Sequence, residues 1–339
     1  MCFLTKKWRL QKMIKSMLFA AVAFVPLCLG QAQAAEYNWD QSTEYGPNSI
    51  NTKTDVFFAD RLKELSDGKI EITIHSGAAL GFREKDHLFA VADGALPIAT
   101  TVSGTLAGVD PIFLLSSLPF VAKDFDDVRK LWEIARPYYE KVFEKYDQKL
   151  IHAGWIDPSG IWAEQEIKSQ ADLKNLRIRT YDATGTRVLD ALGASPLQIS
   201  WSDVVPQLAT GSISAVLTGV DGGAAANFWD YTSVFTQINY AMPLTFVHMN
   251  LEVYNSLPPE LQKAVMQAGQ EATEWRADQI RKNQAAKYDE LRSHGMTVVE
   301  KVDADFAETL SSAAQPVIDD WKAKTGSRAD EILAKFSAK

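Results

Sequence analysis

Two arginines, Arg177 and Arg179, stand at alternate positions of the short stretch Leu176-Arg177-Ile178-Arg179-Thr180. A guanidinium can grip a carboxylate through two parallel N–H bonds, a geometry that lysine does not supply. Spacing alone does not choose between that role and a pair of surface cations. Other chemistry is sparsely represented. There is no G-x-x-x-x-G-K-[ST] and no strand-linked G-x-G-x-x-G to cradle a nucleotide. His75, His87, His152, His248 and His294 are scattered without an H-x-x-x-H pair, so no metal and no cofactor is expected. No G-x-S-x-G elbow is present. A triad needs no local signature, however, so a secreted hydrolase stays open as an alternative.

The elements around Arg179 give it a position. Leu176 to Thr180 alternates as a half-buried strand, Thr184 to Leu192 is helical and stops at Gly193, and Leu197-Gln198-Ile199 is a second strand. Ser200 or Ser202 can cap a helix carrying Val204, Val205 and Leu208, ended by Gly211, and Ser212 to Thr218 is a third strand. This order implies parallel pairing, with the carboxyl ends of the strands facing one crevice where a ligand anion can be met.

A second such unit precedes it. A strand begins at Tyr37, Thr54 to Leu65 is helical, and Lys69 to His75 alternates as a strand. Arg83 to Ala92 is a helix and Leu96 to Thr101 a third strand. Phe125 to Tyr146 reads as a helix, and Lys149 to Trp155 as the strand leading toward the second unit. Val247 to Leu251 returns as a strand. Pro258-Pro259 then opens a helix to about Ser293, with Leu261, Val265, Ala268, Ala272 and Trp275 as its apolar stripe. At 1.5 Å per residue it is roughly 50 Å long, enough to underlie two lobes. Val298 to Val302 and a helix from Ala304 to Lys324 follow.

Several runs in order resemble the extracytoplasmic solute-binding proteins of tripartite ATP-independent periplasmic (TRAP) transporters. They are Asp172-Leu173-Lys174-Asn175-Leu176-Arg177-Ile178-Arg179, Ala191-Leu192-Gly193-Ala194-Ser195-Pro196, Trp201-Ser202-Asp203-Val204 and Thr210-Gly211. The stretches 67–81 and 118–121 resemble the amino-terminal lobe of the same family. The resemblance implies an α/β, two-lobed periplasmic-binding-protein fold with a ligand cleft between the lobes and one long helix crossing both. It divides the chain into a leader at 1–34, lobe I at 35–156 plus 245–284, and lobe II at 157–244 plus 285–339.

It also implies roles. Arg179 falls at the family's carboxylate-binding arginine, and Arg177 at an outward basic position. Trp201 lies where relatives place an aromatic against the ligand, with core packing as the other reading. Thr218 stands where many relatives have a polar Asn, and can still offer a hydroxyl. Many relatives carry a second arginine ahead of the first, but here the segment from Gly154 to Trp162 has no basic residue and offers the indoles Trp155 and Trp162. In lobe I, Trp39, Ser42, Glu44, Phe82, Thr100 and Ser103 sit near predicted strand ends, and Tyr240 and Asn250 flank the return crossover. The expected ligand is therefore a monocarboxylate with an apolar or aromatic body, unless Arg83 supplies a second cation for a diacid.

The leader is read from its own pattern. Lys6, Lys7, Arg9, Lys12 and Lys15 precede the apolar run Met17 to Leu29, and Ala32-Gln33-Ala34 forms a small-x-small cleavage site. The run is shorter than the ~20 residues of a membrane span. Both cysteines, Cys2 and Cys28, lie in this leader. With five of the 35 basic residues and none of the 43 acidic ones there, the remainder carries a charge of −13. So acidic a chain lacks the basic face that nucleic-acid binding needs. The sequence thus predicts a monomeric periplasmic protein that captures a small carboxylate by hinge closure and delivers it to TRAP membrane subunits. A ligand-sensing periplasmic receptor is the alternative among binding modules.

Overall fold

The computed structural model describes residues 35–338, and the leader expected at 1–34 lies outside the described residues. Two sheets carry the architecture. The first is built from β1 (Tyr37–Ser42), β2 (Ile70–His75), β3 (Ile98–Val102) and β4 (Gln148–Trp155). The second takes β5 (Gly160–Ala163), β6 (Arg177–Thr180), β7 (Ser195–Gln198), β8 (Ala215–Thr218), β9 (Val234–Thr236) and, near the carboxyl end, β11 (Thr297–Val299). Strand β10 (Leu244–Asn250) returns to the first sheet. The orders are β2-β1-β3-β10-β4 and β11-β9-β5-β8-β6-β7.

In each lobe the three strands expected from the β-α-β-α-β pattern pair in parallel: β1 with β2 and β3, and β6 with β7 and β8. The strands that cross between lobes run against them, β10 antiparallel to β3 and β4, and β5 antiparallel to β8. Strands β5 and β9 carry too few residues, all buried, to show any alternation. Periodicity therefore does not reveal them.

The helix Ile50–Leu65 starts where the Ser49 hydroxyl accepts the Thr52 N–H at 3.2 Å. It buries Phe58 and Leu62 completely, worth about 1.5–3 kcal/mol each. The long helix Pro259–Ser293 spans both lobes. Leu261, Val265, Ala268 and Ala272 join the core of the first sheet, and Tyr288 and Leu291 join that of the second. Its stripe departs from expectation at one turn. Arg276, four residues after Ala272, is the buried member, while Trp275 is only half-buried and stacks on Phe57.

The carboxyl-terminal residues also depart from expectation. Phe306, Leu310 and Val317 pack into lobe II, but Trp321, Ala329 and Ile332 enter the lobe I core. The helix Ser327–Ser337 lies against the helix Phe125–Lys145. Trp321 Nε1 donates to the Pro111 carbonyl at 2.7 Å, and Arg328 forks onto Asp110 at 2.8 and 3.0 Å. Apolar burial and a bidentate ion pair thus tie the end of the chain to the core of the first sheet.

Candidate functional site

Residues at and just beyond the carboxyl ends of β1, β3, β6 and β8 converge between the sheets, as the crevice rule for parallel strands requires. They line a cavity of about 30 Å³. Tyr45, Ile50, Asn51 and Val102 come from lobe I, and Arg179, Tyr181, Trp201, Thr218, Asp221 and Gly222 from lobe II. Ile156, Asp157, Ser159 and Pro243 belong to the two crossover segments. Those segments are laced by backbone bonds, Ile156 N to Pro243 O at 2.8 Å and Ser159 N to Ala241 O at 2.9 Å.

Arg179 is 5% exposed. Its Nε donates to the Ile199 carbonyl at 2.9 Å, which fixes the plane of the guanidinium. The Trp201 and Tyr181 rings lie 5.4 and 5.9 Å from its Cζ, close enough for cation–π attraction. Among the described residues neither Nη atom has a hydrogen-bond partner and no carboxylate reaches ion-pair distance. Burial holds the group below its usual pKa, opposed by the fields of Tyr45, Glu84, Tyr181 and Glu44. The site therefore presents one positive fork with its two donors unspent.

The carboxyl groups nearby bond mostly within the protein. Glu84 is buried at the start of the helix Glu84–Ala92 and accepts the Val102 N–H at 2.8 Å. Burial, then the neighbouring Glu44, push its pKa up to about 8. Asp157 is pushed up to about 7, by burial and then by Asp221. Glu44 reaches from lobe I to the start of the lobe II helix Trp201–Ala209, accepting the Trp201 N–H at 3.1 Å and the Ser202 hydroxyl at 3.2 Å. Reciprocally, Asp221 of lobe II accepts the Ile50 N–H at 3.0 Å, at the start of a lobe I helix. Each lobe thus places an anion at a helix amino terminus of the other, where the helix dipole favours it. Arg83 of lobe I pairs through both Nη atoms with Asp203 of lobe II, so it is not a free second cation. These contacts hold the lobes closed over the cavity.

Comparison with known proteins agrees with this geometry. Residues 41–324 match the model of DctP, bacterial extracellular solute-binding protein, family 7. The chain belongs to this family. A Bordetella pertussis extracytoplasmic solute receptor, DctP7, solved as a receptor binding pyroglutamic acid, superposes with a TM-score of 0.86. It is 27% identical and covers 89% of this chain and 99% of its own. The 2,3-diketo-L-gulonate-binding periplasmic protein YiaO of Escherichia coli K12 is 23% identical over 282 residues, which is 80% of this chain and 85% of that one. A TRAP periplasmic solute-binding protein from Sulfurospirillum deleyianum, solved with bound succinate, shares the fold at a TM-score of 0.82 and 19% identity, over 90% and 100% of the two chains. All three are solute-binding proteins rather than enzymes, and the hydrolase alternative has nothing behind it.

Of the residues that sequence singles out for ligand contact, the structure of this solute-binding protein brings Arg179, Trp201 and Thr218 to the cavity wall. Five others lie away from that wall. Trp162 is fully buried behind the helix Val220–Ala225, between Phe228 and Phe235, and a Cβ on Gly223 would fall 2.2 Å from its ring. Trp155 belongs to the lobe I core under the long helix. Tyr240 is fully buried in the lobe II core against Phe120. Ser103 bonds the Ser116 hydroxyl at 2.8 Å, and Ser42 bonds His87 at 3.2 Å, so both belong to internal polar networks. Without the two indoles, the expectation of an aromatic ligand body loses its basis.

Sequence reasoning missed Tyr45, Asn51, Asp157 and Tyr181. Tyr181 directly follows β6 and Tyr45 lies three residues past β1, so the crevice rule itself could have found both. It also missed Arg276, fully buried beneath the crossovers, whose Nε donates to Trp155 O at 2.7 Å and whose Nη1 donates to Thr245 Oγ1 at 3.2 Å.

Proposed function

We propose that this chain is a periplasmic solute-binding protein that captures a short monocarboxylate between its lobes and delivers it to TRAP membrane subunits. One observation carries the reading: a buried guanidinium, planar-locked and flanked by two aromatic faces, with both Nη groups unpaired at a closed interlobe cavity. An uncompensated buried charge is costly, and a ligand carboxylate forking onto Arg179 would compensate it. Trp201 and Thr218 border the same space and would contact the solute.

The preference for one carboxylate rests on charge. Arg179 is the only unpaired cation among the described residues lining the cavity, which Asp157 and Asp221 also line, and Glu84 and Glu44 act on its charge from nearby. A second carboxylate would meet acids and no cation. The likeness to the pyroglutamic acid receptor makes pyroglutamate the first probe.

Export through the leader at 1–34, removed after Ala34, fits an extracytoplasmic family. Lobe I would comprise 35–156 and 245–284 together with the helix Ser327–Ser337, and lobe II 157–244 with the residues from 285 to the end of β11 and the first part of the following helix. The site draws on both lobes of a single chain, which supports action as a monomer. Mass spectrometry of the small molecule released on denaturing freshly purified protein tests the reading. A short monoacid is expected, and release of a neutral sugar or a dicarboxylate would contradict it.

A further inference from the structure

Two buried acceptors on the cavity wall have no partner. Among the described residues neither Asp157 Oδ1 nor Asn51 Oδ1 is hydrogen-bonded, although Asp157 is 3% and Asn51 5% exposed. Buried polar atoms are almost always paired, so both are open to a donor that the protein itself does not provide. Asn51 can turn its amide to present N–H instead. Asp157 has no amide to turn, and above its folded pKa, which burial pushes up to about 7, both its oxygens can only accept.

Asp157 is also fixed in place. It lies in the crossover between β4 and β5, and its Oδ2 accepts the Asp221 N–H at 3.0 Å at the start of the helix Val220–Ala225. Gly219 lies so near that an added Cβ would stand 2.5 Å from the Asp157 Cγ. This capping role uses one oxygen and leaves the other over. Arg179 and Asp157 line the same cavity.

We propose that Asp157 is a specificity-determining residue of the site, accepting a hydrogen bond from an N–H or O–H that the solute carries close to its carboxylate. The solute class is then a short monocarboxylate with a neighbouring donor: a lactam acid, a hydroxy acid or an amino acid. An ether, an ester or a second carboxylate at that position would set lone pairs against the Asp157 oxygen. The inference rests on Arg179 as the carboxylate anchor.

The test exploits the cap. In Asp157→Asn the Asp221 N–H still requires an acceptor, so the amide oxygen faces it and the NH₂ falls where the free oxygen stood. An acceptor becomes a donor with no change of shape. Ligand-stripped wild type and variant are titrated calorimetrically with two acid pairs at pH 8.5, above the folded pKa of Asp157. The first is pyroglutamate and 5-oxotetrahydrofuran-2-carboxylate, which replaces the ring N–H by O. The second is 2-hydroxybutanoate and 2-methylbutanoate. Wild type should prefer the donor-bearing member of whichever pair it binds by tenfold or more. Asp157→Asn should cut that ratio to threefold or less, with an unchanged Tm. Equal affinities within each pair in wild type, an unchanged ratio in the variant, or no binding of any of the four acids would overturn the proposal. Titrating Arg179→Ala with the same acids separates the two claims. Lost binding there beside an unchanged ratio in Asp157→Asn refutes only the Asp157 role, whereas retained binding refutes the anchor.

Discussion

Arg179 and Arg276 are both buried, both lack an ion pair among the described residues, and both lie close to the lobe crossovers, yet they do different work. Arg276 spends Nε and Nη1 inside the protein, on the Trp155 carbonyl of β4 and the Thr245 hydroxyl of β10, and only its buried Nη2 lacks a partner among the described residues. Gly154 gives it room, since a Cβ there would sit 2.4 Å from the Arg276 Cδ. Burial pulls its pKa down to about 10, leaving it charged at neutral pH. Arg179, which lines the cavity, spends only Nε, on Ile199, and neither of its Nη groups has a partner among the described residues. A buried arginine is thus structural or ligand-binding according to where its end groups point, and burial alone does not distinguish them.

Removing Arg276 should therefore damage the fold most. Arg276→Leu leaves the Trp155 carbonyl and the Thr245 hydroxyl short of donors beneath the long helix, a cost of about 3–5 kcal/mol. Urea unfolding should show that loss in the midpoint, and a midpoint within error of wild type would erase the contrast.

A smaller effect is expected from the cross-lobe cap. In Glu44→Ala the helix Trp201–Ala209 loses an acceptor that only the closed form provides. Closure should weaken by about 1 kcal/mol, so apparent affinity falls roughly fivefold while the unliganded protein unfolds as before. Titration and thermal melting on the same sample would check both halves. A fall in unliganded stability with unchanged affinity would place the Glu44 contact in the fold rather than in closure.

The smallest effect concerns pH. Glu84, Asp157 and Asp55 hold their protons more tightly in the fold than ordinary carboxyls do, with pKa values pushed up to about 8, 7 and 7 by burial. The stability they contribute is complete below about pH 4 and is lost as pH rises through their folded values. His87 and His152 act oppositely, lowered by burial to about 4 and 3, so their stability is lost only as pH falls below about 6.5. Above pH 6.5 only the acids change. Tm should fall by a few degrees between pH 6.5 and 8.5, and a flat or rising profile would mean the acids are ionised throughout.

The legible parts of this molecule were those with a period. Lys69 to His75 alternates, Phe58 and Leu62 recur at helical spacing, and the order of elements dictates a crevice at the strand ends. Family resemblance added the place of Arg179 within it. The tryptophans were not legible, because an indole against a core glycine and an indole against a ligand give the same letter. Trp162 needed Gly223, 61 residues onward, to reveal which it was. Arg276 hid for a related reason: a charged residue on an apolar stripe looks like the stripe's edge until the carbonyl it serves is located. The carboxyl-terminal helix returned to lobe I through Arg328 and Asp110, a pair that no local pattern announces.

The central claim is that Arg179 is a binding group and not a structural one, and calorimetric titration of Arg179→Ala with the acid that co-purifies with wild type tests it most directly. Binding should weaken by about 2–5 kcal/mol, beyond detection for a micromolar ligand, while Tm without ligand stays within a degree or two of wild type. Arg179→Lys should fail nearly as badly, since an ammonium cannot form the fork. Wild-type affinity in Arg179→Ala, or a collapse of its unliganded Tm like that expected for Arg276→Leu, would contradict the account.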